Sequence, residues 1–129
     1  MSKTNTKGDI AESAFINECI KNSLKVSIPY GHDTSYDLIV DKDNKLFRIQ
    51  VKYADNDGIK IKARTVSNER KYTSDMIDYL VVFDPRENKF YYVPSTEFAD
   101  GRKSITLSLN GVKNKHGISP MMAKKFESW

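Results

Sequence analysis

The stretch from Lys45 to Tyr53 constrains this chain more than any other. Phe47, Ile49, Val51 and Tyr53 fall at one parity, and Arg48, Gln50 and Lys52 at the other. Successive side chains of a strand point to opposite faces, so the pattern predicts a long strand with one apolar face. Asp41, Lys42, Asp43 and Asn44 precede it and make a strong turn signal. Tyr36 to Val40 reads as the strand before that turn. The pair should form a hairpin, and a hairpin decides which residues face one another. With Val40 paired to Lys45, Asp37 lies opposite Arg48. Gln50 is then its diagonal neighbour on the same face, within roughly 7–8 Å.

The remaining elements fit around this hairpin. Lys7 to Ser23 reads as a helix, with Asp9 and Glu12 early, where the helix dipole favours negative charge. Ile10, Ala11, Ala14, Phe15, Ile16, Cys19 and Ile20 give it a broad apolar face, with Glu12 at its edge. Lys25 to Ile28 is a short strand ended by Pro29. Ile59 to Arg64, Ile77 to Asp84 and Phe90 to Pro94 read as further strands, and Ser104 to Leu109 as an edge strand. Val66 to Asp75 is polar and basic, which predicts a loop. Ser95 to Asp100 reads as a short helix or turn. Pro120 to Trp129 reads as a terminal helix with proline in its first turn. The order predicts an α/β fold, a mixed β-sheet flanked by helices, with the N-terminal helix followed by the hairpin core.

Length and composition exclude several classes. The chain has 129 residues, enough for one domain, 1–129, with one core. A hydrophobic fraction of 39% and a charged fraction of 29% fit a soluble globular protein. No apolar run approaches the ~18 residues of a membrane helix. Met1 to Gly8 has no apolar core and does not read as a secretory signal. Cys19 is the one cysteine, so an internal disulfide or a cysteine-based zinc site is excluded, and a cytoplasmic setting is expected. His32 and His116 stand apart without metal-ligand spacing. There is no glycine-rich phosphate loop after a strand and no serine–histidine–aspartate arrangement, which argues against a small-molecule enzyme.

The chemistry concentrates in the hairpin. Hydrolysis of a phosphodiester needs a divalent cation held by oxygen ligands, a polarised phosphoryl group and an activated water. Asp37 offers a charged oxygen, Gln50 a neutral amide oxygen and Val51 a backbone carbonyl. Lys52 follows on the Gln50 face, where it can orient the attacking water or offset charge on the phosphate. Glu12, projecting from the helix toward the sheet, could hold a second metal ion. Bland readings compete with each assignment. Asp37 could bind its neighbouring loop, Gln50 and Lys52 could be the solvated face of an amphipathic strand, and Glu12 could serve the helix dipole alone, as Asp9 is taken to do.

Several runs together carry a resemblance: Gly8-Asp9-Ile10-Ala11-Glu12, Ile28-Pro29-Tyr30-Gly31, Ser35-Tyr36-Asp37-Leu38-Ile39 and Ile49-Gln50-Val51-Lys52-Tyr53. In that order they resemble the PD-(D/E)XK nuclease superfamily. More closely, they resemble its group I intron-encoded homing endonucleases, which carry Gln-x-Lys in place of the usual Glu-x-Lys. Asp78-Tyr79-Leu80, Tyr91-Tyr92-Val93-Pro94 and Gly101-Arg102-Lys103-Ser104 extend the likeness over most of the chain. The resemblance implies a restriction-endonuclease-like fold with Glu12, Asp37, Gln50 and Lys52 as catalytic residues. It further implies Mg2+, or Mn2+, as cofactor and double-stranded DNA as substrate. A homodimer or homotetramer would present paired active sites, in a bacterial, phage or organellar setting. Gln50 departs from the broad pattern, since a neutral ligand lowers the negative charge that binds a cation.

Net charge is +4, and the clustering of basic residues says more than the total. Lys60, Lys62 and Arg64 share one face of their strand. Arg70 and Lys71 sit in the segment 68–72 beside Tyr72, and Arg102 and Lys103 form another pair. All are candidates for contact with DNA phosphates. Charged edge strands also guard against aggregation, and for 60–64 that reading weighs about equally. Lys113 and Lys115 are further candidates, whereas Lys124 and Lys125 read better as a solvated helix face. Two other functions stay open: a structure-selective nuclease of the Holliday-junction resolvase kind, and a catalytically inactive DNA-binding module of the same fold.

Overall fold

The computed structural model describes residues 6–31, 36–64, 66–67, 70–71, 76–98, 104–111 and 121–129. Helix α1 spans Thr6–Lys21. The strands are β1 (Lys25–Ser27), β2 (Leu38–Lys42), β3 (Lys45–Tyr53), β4 (Asp55–Asn56), β5 (Lys60–Arg64), β6 (Val66–Ser67), β7 (Arg70–Lys71), β8 (Tyr79–Asp84), β9 (Lys89–Pro94) and β10 (Ser104–Ser108). A five-stranded sheet runs β1-β2-β3-β8-β9, and a three-stranded sheet runs β10-β5-β4. Only the β3–β8 pair of the larger sheet is parallel, so the sheet is mixed.

The larger sheet is covered on both faces. Ala11, Phe15 and Cys19 of α1, one turn apart, are buried against Leu38, Val40, Ile49, Val51, Val81, Phe83 and Tyr92. The buried stripe is narrower than the sequence suggested, and Ile10 and Ile20 are 46% and 64% exposed. On the opposite face, Ile61, Ala63, Ile105 and Leu107 of the smaller sheet pack on Leu80, Val82, Tyr91 and Val93. A central strand buried on both sides therefore displays its polar residues between layers.

The hairpin turn is tighter than expected. Asp43 and Asn44 have φ of 54° and 64°, the left-handed pair that closes a two-residue turn and matches strand twist. Asp41 and Lys42 continue the ladder instead of joining the turn. Val40 consequently pairs with Phe47, not Lys45, and Ile39 with Arg48. Asp37 lies one residue beyond β2, beside Gln50 instead of opposite Arg48.

Two other expectations change. The segment expected as a loop after Thr65 contains the short antiparallel pair β6 and β7. The terminal helix is only a 3-10 turn, Ala123–Phe126. Ser108 donates its N–H to the Met121 carbonyl at 2.7 Å and bridges Met122, which holds the chain extended until Ala123. The remaining run is too short to repay helix nucleation. Among the described residues, no helix is long and apolar enough to cross a membrane. His32, Tyr72, Arg102, Lys103, Lys113, Lys115 and His116 lie outside the described residues.

Candidate active site

The site forms where β2 stops and β3 runs on. Asp37 donates its N–H to the Ile49 carbonyl at 2.8 Å, the last backbone contact on that side. The Val51 N–H then has no β2 residue opposite it, and the Asp37 carboxylate takes it at Oδ2, 3.1 Å. Gln50 Nε2 donates to the same oxygen at 2.9 Å. One residue's N–H and C=O point to the same side of an extended strand. The Val51 carbonyl accordingly faces the gap that Asp37 closes.

Gln50 is 8% exposed, which removes the reading of a solvated strand face. Its parity sends it into the layer between the two sheets, and Lys52, partly buried, follows on that face. Burial raises the pKa of Asp37, opposed by the Val51 N–H, the Lys52 charge and the Gln50 amide. Burial lowers the pKa of Lys52; the Asp37 charge opposes this and the Arg64 charge adds to it. Burial raises the pKa of Glu12, and the charges of Asp37 and Asp9 add to that rise.

The donor set suits a hard divalent cation. Among the described residues, both hydrogen bonds to the Asp37 side chain fall on Oδ2, and Oδ1 accepts none. Gln50 spends its N–H on Asp37 and keeps Oε1 as acceptor. Asp37 Oδ1, Gln50 Oε1 and the Val51 carbonyl are all oxygens, the ligands Mg2+ and Mn2+ prefer. A cation there would also offset the mutual repulsion of Glu12 and Asp37. Among the described residues no three His, Cys, Asp or Glu side chains converge to hold a metal ion.

Arg48, the third polar residue on this face of β3, turns toward β8. Its N–H reaches Asp78 Oδ2 at 2.7 Å, and Nε and Nη2 hold the two carboxylate oxygens at 3.2 Å each. Asp78 returns its own N–H to the Arg48 carbonyl at 2.9 Å, and its carbonyl accepts Ser95 N–H at 3.0 Å. This clamp sets the start of β8 against β3. The sequence placed Asp78 in a similar run of residues but gave no partner for it.

The basic candidates divide. Lys60, Lys62 and Arg64 alternate with buried Ile61 and Ala63 and are exposed, as their spacing predicted. Lys62 and Arg64 line a cleft of about 460 Å³ with Lys7, Tyr53, Asp55, Ala63 and Ser104. Asp37 and Gln50 do not line this cleft. Lys7 and Tyr53 were not singled out from sequence, although Tyr53 follows Lys52 directly. Arg70 and Lys71 make up β7.

A family model described as PD-(D/E)XK endonuclease matches residues 2–129. The chain belongs to the PD-(D/E)XK endonuclease family. Nucleases of this family act on DNA and generally use divalent metal ions. Among solved structures, the chain is similar to the bacterial homing endonuclease I-Ssp6803I. The TM-score is 0.69 and the identity 26%, over 93% of this chain and 83% of that one. It is also similar to Hjc, a Holliday junction resolvase from the archaeal hyperthermophile Archaeoglobus fulgidus. There the TM-score is 0.53 and the identity 14%, over 80% of this chain and 84% of that one, a likeness of fold alone. No curated protein matches the sequence. The PD-(D/E)XK fold accounts for the mixed sheet, with the helix on one face and the hairpin at its centre.

Proposed function

We propose that this PD-(D/E)XK chain is a magnesium-dependent endonuclease that hydrolyses phosphodiester bonds of duplex DNA at a specific sequence. The observation that carries the reading is the gap beyond β2, where Asp37, Gln50 and the Val51 carbonyl meet with Lys52 on the same face. Asp37, Gln50 and the Val51 carbonyl would hold the ion, with Glu12 in support, and Mg2+ there would supply Lewis acidity toward the phosphoryl oxygen and toward a water. Mn2+ has the same ligand preferences and would substitute. The Lys52 ammonium orients the attacking water and offsets charge that develops on the phosphate. Lys60, Lys62 and Arg64, with Arg70, Lys71, Arg102 and Lys103, neutralise the backbone.

The homing type is favoured over the junction resolvase by the likeness to I-Ssp6803I, which extends over most of both chains at the higher identity. A protomer with one site cuts one strand, so a homodimer or homotetramer would make the double-strand cut. A randomised duplex library and a four-way junction, each incubated with and without magnesium, separate the readings. Recovery of a narrow set of cut duplex sequences supports the homing type. Cutting confined to the junction would replace it with a resolvase.

A further inference from the structure

The cleft beside the site has a composition that the metal chemistry does not use. Its walls come from separate elements: Lys7 of α1, Tyr53 of β3, Asp55 of β4, Lys62 and Arg64 of β5 and Ser104 of β10. Cations outnumber the single carboxylate, so an anion is favoured. Lys7 Nζ sits over the Tyr53 ring, 5.6 Å from its centroid. That contact restricts a flexible side chain in advance, which lowers the entropy lost on binding. It also covers a face on which a base would stack, so the cleft suits a backbone more than a nucleobase. Continuity with the reaction centre comes from Tyr53, which follows Lys52 on β3, and from β5, which carries Arg64 and meets β3.

We propose that this cleft is a second phosphodiester-binding subsite, in which Lys7 and Arg64 grip the DNA backbone beside the bond being cut. The identity of the polymer rests on the nuclease reading. The contact is independent of sequence: it positions the strand and reads no base. Ser104 adds a hydroxyl donor to the same wall, and Asp55 limits how much negative charge the cleft accepts.

The test is the salt dependence of binding to a labelled duplex of arbitrary sequence, followed by fluorescence anisotropy in metal-free buffer. Lys7→Gln and Arg64→Gln remove charge while keeping much of the stem, and thermal melts establish that each variant is folded. Each should reduce the slope of log affinity against log salt by about 0.9, and the double variant by roughly twice that. Lys25→Gln, on β1 and outside the cleft, should leave it unchanged. Unchanged slopes in Lys7→Gln and Arg64→Gln would overturn the subsite. So would an equal fall in Lys25→Gln, which would mean bulk charge alone, or no salt-dependent binding by the wild type. Because no cleavage is needed, loss of the subsite would leave the nuclease reading to its own assay, and the reverse also holds.

Discussion

The Asp37 carboxylate accepts the side-chain amide of Gln50 at 2.9 Å. This bond orients both groups before any ion arrives. It directs the amide nitrogen inward to Asp37, so the amide oxygen is what Gln50 offers as a ligand. A glutamate at position 50 could not make the bond as an anion, because both partners would then be acceptors.

Gln50→Glu should therefore act in opposite directions on the metal-free and metal-loaded protein. Without metal, a lost buried hydrogen bond and a like charge beside Asp37 should destabilise the fold by about 1–3 kcal/mol. With Mg2+ or Mn2+, the added charge should tighten binding and enlarge the thermal shift on metal addition. Melting curves across a metal titration check both arms. Equal metal-induced shifts in wild type and variant would remove Gln50 from the coordination set.

Much of this candidate site is legible in the sequence, because β3 alternates from Phe47 to Tyr53 and its polar parity carries Arg48, Gln50 and Lys52 together. The facing of Asp37 differs from what the turn signal implies. Asp41 and Lys42 look like turn residues in sequence, yet they extend the ladder, and the shift of register moved Asp37 from Arg48 to Gln50. The Arg48–Asp78 clamp was hidden because it joins strands far apart in sequence through a parallel pairing, which no local pattern announces. The terminal helix failed for a similar reason. Its start is fixed by a bridge to Ser108, a tertiary contact that overrides the local proline signal.

Asp78 should make stability depend on acid pH. Burial pushes its pKa up, but the guanidinium, the backbone N–H and the charge of Arg48 together hold it below the ordinary carboxylate value. A folded pKa lower than the unfolded one gives stability that is present above the unfolded value, about 3.9, and is lost as pH falls through the folded value. Asp78→Asn should lower the melting temperature at neutral pH and narrow its difference from wild type below about pH 4. A parallel pair of melting-temperature curves across that range would contradict the clamp.

Phe15 tests the layer that carries Glu12. It is fully buried, with ring centroids 5.8 Å from Phe90, 6.1 Å from Tyr92 and 6.2 Å from Trp129. Phe15→Ala should cost about 3–5 kcal/mol, read from urea melts. A cost below about 1 kcal/mol would mean that α1 does not pack on the sheet through this residue.

Cys19 should be inert while the protein is folded. Burial, with a smaller contribution from the Glu18 charge, pushes its thiol up to about 12, and its side chain faces the same core as Phe15. The thiolate is the reactive form, so a thiol reagent at neutral pH should label Cys19 only at the rate of opening. Labelling at the rate of a free thiol in buffer without denaturant would contradict the packing of α1.

Cleavage by the site variants tests the central claim most directly. Wild type, Asp37→Asn and Lys52→Ala would be incubated with duplex DNA that the wild type cuts, with magnesium present, and the rates compared at saturating protein. Both variants should bind the duplex and cut it at least ~100-fold more slowly. Cleavage by either variant at the wild-type rate would contradict the assignment of chemistry to the gap between Asp37 and Lys52.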